Sequence, residues 1–257
     1  MLNDQDFLRY SRQLLLEDIG TTGQKQLEAA TVLLVGLGGL GSPASMYLAA
    51  AGVGTLLLAD YDNIHITNLQ RQILYRTRDI GELKAKVAQQ NLTALNPQVH
   101  YIPLIRRLQN STWLDMQVKR ANIVLDCSDN MLTRHAINAA CVRCSIPLIS
   151  ASAVGFSGQL IVLTPPFSSG CYACLFPSIQ EKEHNCRTIG ILGPVVGIMG
   201  TIQALEAIKL ICGLPMETVG KLLLFNGKKL QLRVLALSIN QHCLICANHT
   251  SSNIGKL

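Results

Sequence analysis

The chain has 257 residues, 49% of them apolar and 15% charged, with a mean hydropathy of +0.28. That is enough apolar material for one large α/β domain or for one domain with an appendage. Its net charge of +6 comes from scattered basic residues, as in "LIRR" and "GKK", and its aromatics are too few, at 5%, for a base-stacking platform. A solvated basic surface is therefore favoured over nucleic-acid binding, with charge gathered around an anionic substrate as a third reading. No apolar run of 18 or more residues stands free of polar interruption, and the start "MLNDQDFLRYSRQ" is no secretory signal, so no membrane span and a cytoplasmic setting are expected. There, an odd count of nine cysteines argues for metal or thiol chemistry rather than a disulfide framework.

In chain order, residues 3–19 predict a polar helix carrying Phe7, Leu8, Leu15 and Leu16. "TVLLVG" (31–36) predicts a buried strand, and "SPASMYLAAAGV" a helix with Ser42 as cap and Pro43 in its first turn. A second strand falls at 54–60, and a helix at about 82–95 stops at Asn96-Pro97. "VHYIPLI" and "NIVLDCS" read as strands, 131–144 as a helix, and "IPLISASAV" with "GQLIVLTPP" as a strand pair. Such alternation implies a Rossmann-like α/β fold, its sheet mostly parallel with helices on both faces. From 165 to 190 the chain turns rich in Pro, Gly and Cys; a long apolar helix (about 194–212) and a hairpin turning at Asn226-Gly227 follow. The expected organisation is one domain: a nucleotide-binding part at about 28–164, a crossover, late-helix, hairpin and metal part at about 165–246, and a tail from 247.

Between the first strand and its helix, "VLLVGLGGLG" places Gly36, Gly38 and Gly41. The first glycine permits the turn, the second lets backbone approach phosphate, and the third allows close helix–strand packing. The helix N-terminus adds N–H groups and a favourable dipole. Asp60 ends the next strand 19 residues after Gly41, where a carboxylate can bind ribose. That much would suit NAD. "DYDNIHITNLQRQ" then packs Asp62, Asn68, Arg71 and Gln72 beyond the strand, "GELKAK" adds Lys84 and Lys86, and "LDCSDNMLTR" adds Asp126, Asp129, Asn130 and Arg134. In an open parallel sheet these gather at one crevice, and cations beside carboxylates suit a magnesium triphosphate better than a nicotinamide ring. Any one of these charges alone would read as a solvated strand end.

Three C-x-x-C pairs occur. Cys141/Cys144 falls in a helical pattern suited to packing, whereas Cys171/Cys174 and Cys243/Cys246 follow turn-forming residues and can form zinc knuckles. The 68 residues between Cys174 and Cys243 are too many for a finger but can staple two segments. A redox pair is the alternative. Cys127 and Cys212 read as buried small apolar residues. Cys186, between His184 and Arg187, is either an unreactive loop cysteine or a thiol of lowered pKa.

"RYSRQ", "GLGGLG", "DYDNIHITNLQRQ", "GELKAK", "DCSDN", "SASAVGFSGQL", "CYAC", "NCRTIGILGPVVGIMGTIQALEAIK" and "CLIC" occur in that order over about residues 6–246. Together they resemble the ubiquitin-activating-like ThiF/MoeB/HesA family of adenylyltransferases. The resemblance implies an ATP site in which Gly39 lies against the nucleotide, Asp60 binds ribose, Asn68, Arg71 and Lys84 hold phosphates, and Asp129 holds magnesium. Asp62, Asn130 and Arg134 match family positions, and Arg12 would reach in from the other subunit of a homodimer. It implies structural zinc on Cys171, Cys174, Cys243 and Cys246, and a role for Cys186 in sulfur transfer. The implied substrate is the C-terminal Gly-Gly tail of the sulfur-carrier protein ThiS, or alternatively the molybdopterin synthase carrier subunit. With no sulfurtransferase segment after Cys246, sulfur is expected from a separate persulfide donor. A noncatalytic nucleotide-binding scaffold and an NAD oxidoreductase are the readings from other classes.

Overall fold

The computed structural model describes residues 2–107, 111–177 and 190–247. Its strands are β1 (Thr31–Val35), β2 (Thr55–Ala59), β3 (His100–Leu104), β4 (Ile123–Asp126), β5 (Leu148–Val154), β6 (Ser157–Leu163), β7 (Lys221–Asn226) and β8 (Gln231–Ala236). They form one sheet in the order β3-β2-β1-β4-β5-β6-β7-β8. The first five run parallel and the last three antiparallel, matching the expected Rossmann-like sheet that continues into a C-terminal hairpin.

The helices are α1 (Asp4–Arg9), α2 (Ser11–Leu14), α3 (Gly20–Ala29), α4 (Gly41–Ala50), α5 (Lys84–Leu95), α6 (Ser111–Lys119), α7 (Met131–Cys144), α8 (Tyr172–Leu175) and α9 (Gly193–Ile211). β1, β2 and β4 are buried on both faces, and their side chains alternate with the two-residue period of an extended chain. Val32, Leu34, Leu56, Leu58, Ile123 and Leu125 enter a core with α4, α5 and α9. Leu33, Val35, Leu57 and Val124 enter the opposite core with α6 and α7. Helices thus cover both faces.

α9 is 19 residues long and apolar enough to cross a membrane, yet it packs on α4, β5 and β6, with Met199, Gln203, Ala204 and Ala207 buried. It is a core helix. Gly200 makes this possible, because a side chain there would overlap the Leu40 carbonyl at the start of α4.

Several local expectations change. The N-terminal helix breaks at Tyr10, whose buried ring places its hydroxyl 2.9 Å from Asn96 Nδ2. Two helices carried no clear sequence signal. α3 (GTTGQKQLEA) holds poor helix formers and is secured by Gln24, which donates to the Ala51 carbonyl at 3.1 Å. α6 packs against α7. Ser42 does not cap α4: the cap position is Leu40, and the buried Ser42 lies inside the first turn. The hairpin turn runs through residues 227–230, with Leu230 rather than Gly227 at positive φ (49°), while Asn226 Oδ1 accepts from the Lys228 and Lys229 amides. Cys212 is half-buried rather than buried.

Candidate nucleotide and metal sites

The carboxyl ends of β1, β2 and β4 open into a cleft of about 740 Å³. Parallel strands place every such end on one edge, and the strand order reverses at β1/β4, which is where open α/β sheets bind ligands. Gly36, Gly38, Gly39, Asp60, Asp62, Asn68, Arg71, Lys84, Asp129 and Asn130 all line it. Gly41 does not: it is buried, and a side chain there would overlap the Gly36 carbonyl, so its part is helix–strand packing. Gly36 has φ 92°, and a Cβ there would stand 2.7 Å from the Cys127 carbonyl oxygen.

The glycine loop is held from two sides. Leu37 N donates to Asp60 Oδ2 at 2.8 Å, and the Tyr75 hydroxyl donates to the Leu37 carbonyl at 2.9 Å. Asp60 Oδ1 accepts from Asp62 N at 2.9 Å. Each carboxylate oxygen keeps a lone-pair direction for a ribose hydroxyl. Burial raises the Asp60 pKa, opposed chiefly by Lys84.

Lys84 is buried at the start of α5 and reaches Asp62 Oδ2 at 3.1 Å. Arg71 is braced by the Thr67 carbonyl at 2.9 Å, and Asn68 Oδ1 accepts from His65 N at 3.0 Å. Asp129 is exposed in the cleft; Asn130 begins α7, its Oδ1 accepting from Thr133 N at 2.9 Å. An exposed carboxylate facing a phosphate cradle fits magnesium, which takes one or two protein carboxylates with phosphate oxygens and water.

Asp126 belongs elsewhere. Although grouped by sequence with the crevice charges, it does not line the cleft; its side chain is wholly buried and paired with Arg134 at 3.1 Å. It also accepts from the Ser128 hydroxyl at 2.6 Å and the Ser150 hydroxyl at 2.7 Å, while Arg134 Nη2 donates to the Ser128 carbonyl. The pair thus braces the loop that carries Asp129. Arg12 is exposed on α2 and does not line this cleft. Its neighbour Gln13 donates to the Ala51 carbonyl at the C-terminal end of α4, away from the glycine loop at the N-terminal end. Cys186, His184 and Arg187 lie outside the described residues.

Arg106, Ser152, Gly190, Ile191 and Val196 also line the cleft. In the sequence, "LIRR" marks Arg106 only as one of the scattered basic residues. The others come from β5, the approach to α9 and its first turn, which only the tertiary fold brings beside Gly39: a Cβ on Gly39 would meet Val196 Cγ2 at 2.8 Å. Cys127 lines the cleft while nearly buried, with its thiol 3.4 Å from Gln203 Oε1 and burial raising its pKa.

Further along α7, beside Asn138, the Sγ atoms of Cys171, Cys174, Cys243 and Cys246 all lie within 4.8 Å of one another. Cys171–Cys243 and Cys174–Cys246 are separated by 3.7 and 3.4 Å, near the edge of about 3.8 Å that Zn–S bonds of about 2.3 Å give a tetrahedron. Burial, reinforced by the neighbouring Cys174 and Cys243 sulfurs and opposed by Asn138, pushes the Cys171 thiol up to about 11, so thiolate ligation there calls for a cation's compensating charge. Four sulfurs leave no open position, which suits structural zinc. Cys141 and Cys144 stay in α7, outside this cluster.

A glycine-loop cleft lined with cations and an exposed carboxylate, together with an all-sulfur cluster, fits an adenylating class of α/β enzyme. The ThiF family pattern matches residues 10–245, and the chain belongs to that family. It is 57% identical to the sulfur carrier protein ThiS adenylyltransferase of Escherichia coli (strain K12), over 98% of this chain and 100% of that one. It is 38% identical to the molybdopterin-synthase adenylyltransferase of the same organism, over 95% and 98%. Among solved structures, E. coli MccB with ATP superposes at a TM-score of 0.81, with 25% identity, 95% of this chain and 75% of that one covered.

Proposed function

We propose that this chain adenylates the C-terminal glycine carboxylate of the sulfur-carrier protein ThiS, releasing pyrophosphate from ATP, and then supports sulfur transfer toward ThiS thiocarboxylate for thiamine thiazole synthesis. The observation that carries the reading is the convergence of Arg71, Lys84 and Asp129 on the glycine-loop cleft, in a chain so similar along its full length to a ThiS adenylyltransferase.

A chain-terminal carboxylate, with a pKa near ~3.5, is ionised at neutral pH and needs no general base. The obstacle is repulsion between that anion and a polyphosphate. Asn68, Arg71 and Lys84 hold the phosphates and offset the charge that builds on the departing pyrophosphate. Asp60 fixes the ribose, and Gly36, Gly38 and Gly39 let the backbone approach the nucleotide, so that the carboxylate meets the α-phosphate in line. Asp129, beside Asn130, would hold magnesium, which supplies further neutralisation when bound. Arg12 serves the cleft of a second copy in a homodimer, in keeping with its exposure away from its own cleft. Cys186 is the sulfur-transfer thiol, supplied by a separate persulfide donor. Zinc on Cys171, Cys174, Cys243 and Cys246 is structural. The setting is cytoplasmic, and residues 28–164 and 165–246 act as the nucleotide and crossover–zinc parts of one domain, joined by the shared sheet.

The second reading is the same reaction on the molybdopterin synthase carrier, favoured by the 38% identity to that adenylyltransferase. Incubation with ATP, magnesium and each purified carrier, followed by mass spectrometry, separates them. An acyl-adenylate on ThiS alone is expected; one on the molybdopterin carrier alone selects the second reading, and none on either overturns both.

A further inference from the structure

α7 links the two sites. Its first turn carries the nucleotide loop through Asn130 and the buried Arg134, and one turn beyond Arg134 it carries Asn138, wholly buried against the cysteine cluster. Asparagine is a poor choice inside a helix. A buried amide also costs free energy unless both of its ends find partners. Here both do. Asn138 Oδ1 accepts from the Tyr172 backbone N–H at 2.9 Å, and Asn138 Nδ2 lies 3.4 Å from Cys171 Sγ. The first contact fixes the second: a backbone N–H can only donate, so the atom facing it is the oxygen, and the NH₂ must face the sulfur. Tyr172 is itself held, its ring edge-on to His135 with centroids 5.6 Å apart and its hydroxyl 3.5 Å from Met131 Sδ.

We infer that Asn138 is the outer-shell hydrogen-bond donor of the metal centre, tying the Cys171 thiolate to α7 and so joining the zinc staple to the helix that begins at the nucleotide loop. The inference rests on the reading of the four thiols as zinc ligands. Four thiolates around one Zn²⁺ leave a net charge of about −2 in a buried site, and an N–H donor aimed at one sulfur takes up part of it. Outer-shell donors of this kind orient the ligand and set metal affinity, typically by 10–100-fold. The same amide fixes the backbone of Tyr172, the residue after Cys171, so a single side chain positions both the ligand and the knuckle that bears it.

The test uses the full chain. Zinc content and affinity are measured by competition with a chromogenic chelator for the natural protein, Asn138→Ala and Asn138→Asp. Asp keeps the acceptor for Tyr172 N–H but places a carboxyl group where the donor stood. About 10-fold weaker zinc binding is expected in N138A, with a larger loss in N138D at neutral pH. A second measurement needs no substitution. In the natural protein loaded with ¹¹³Cd, a proton–cadmium correlation to the Asn138 side-chain amide is expected across the N–H···S bond. Unchanged zinc affinity in both variants, or no such correlation, overturns the assignment of Asn138 alone. A natural protein that binds neither metal overturns the zinc reading and this inference together.

Discussion

The two ends of the sheet bury themselves by different means. β1, β2 and β4 are near-continuous apolar runs sandwiched between two helical layers. Their carboxyl ends deliver polar groups to the cleft, where Asp60 and Asp129 line it while Asp126 is sealed by Arg134. At the other end, β8 is exposed at every residue, with Leu232, Val234 and Leu235 in the open. Little core reaches that strand. The cysteine cluster instead ties the stretch after β6 to the segment after β8, across the intervening hairpin. Where apolar area is short, a metal can stand in for it. One end is held by packing and is chemically versatile; the other gathers four cysteines that could hold a metal.

The largest effect that should sharpen this contrast lies under the nucleotide loop. Arg134→Ala strands the wholly buried Asp126 and is expected to cost about 3–5 kcal/mol, measured by denaturant unfolding. A loss below about 1 kcal/mol would mean that the packed end does not depend on its buried ion pair. Arg71→Ala acts on chemistry instead. Carrier-dependent pyrophosphate exchange should drop about 100- to 1,000-fold while the melting temperature stays within about 2 °C, and an undiminished rate would remove Arg71 from the phosphate cradle. At the coordinated end, Cys246→Ser or chelation should lower the melting temperature by roughly 5–10 °C, about 2–3 kcal/mol in a chain of this size. The loss should appear first as hydrogen exchange in β7 and β8; equal exchange across β1 and β8 would break the comparison. Smallest of all, Leu232→Ser on the exposed strand should change stability by less than ~0.5 kcal/mol in the isolated chain.

Local residue chemistry made much of this site legible. Gly36, Gly38 and Asp60 announce themselves because the turn, the phosphate approach and the ribose contact each demand a particular residue at a particular spacing. The four cysteines do likewise, through knuckle context and ligand spacing. Asp126 shows where such reading stops: it is chemically equivalent to Asp129 and three residues away, yet one is sealed under the sheet and the other faces the cleft. Strand pleat and the reach of Arg134 from α7 decide which is which. Arg106 read as surface charge for the same reason, since nothing in "LIRR" says that β3 ends beside Asp60. The break at Tyr10 and the helix α3 were hidden too, because both depend on partners far along the chain, Asn96 and Ala51.

By itself, then, the amino-acid sequence determined the alternation of strands and helices, the glycine loop and the identity of the ligating and charged side chains. These follow from short-range rules of period, turn geometry and donor chemistry. Only the tertiary structure decided which carboxylates face outward, that Val196 and Ile191 wall the nucleotide cleft, and that Asn138 joins a helix to a sulfur. Those outcomes hang on distances of a few ångströms between segments tens of residues apart, and no local pattern encodes them.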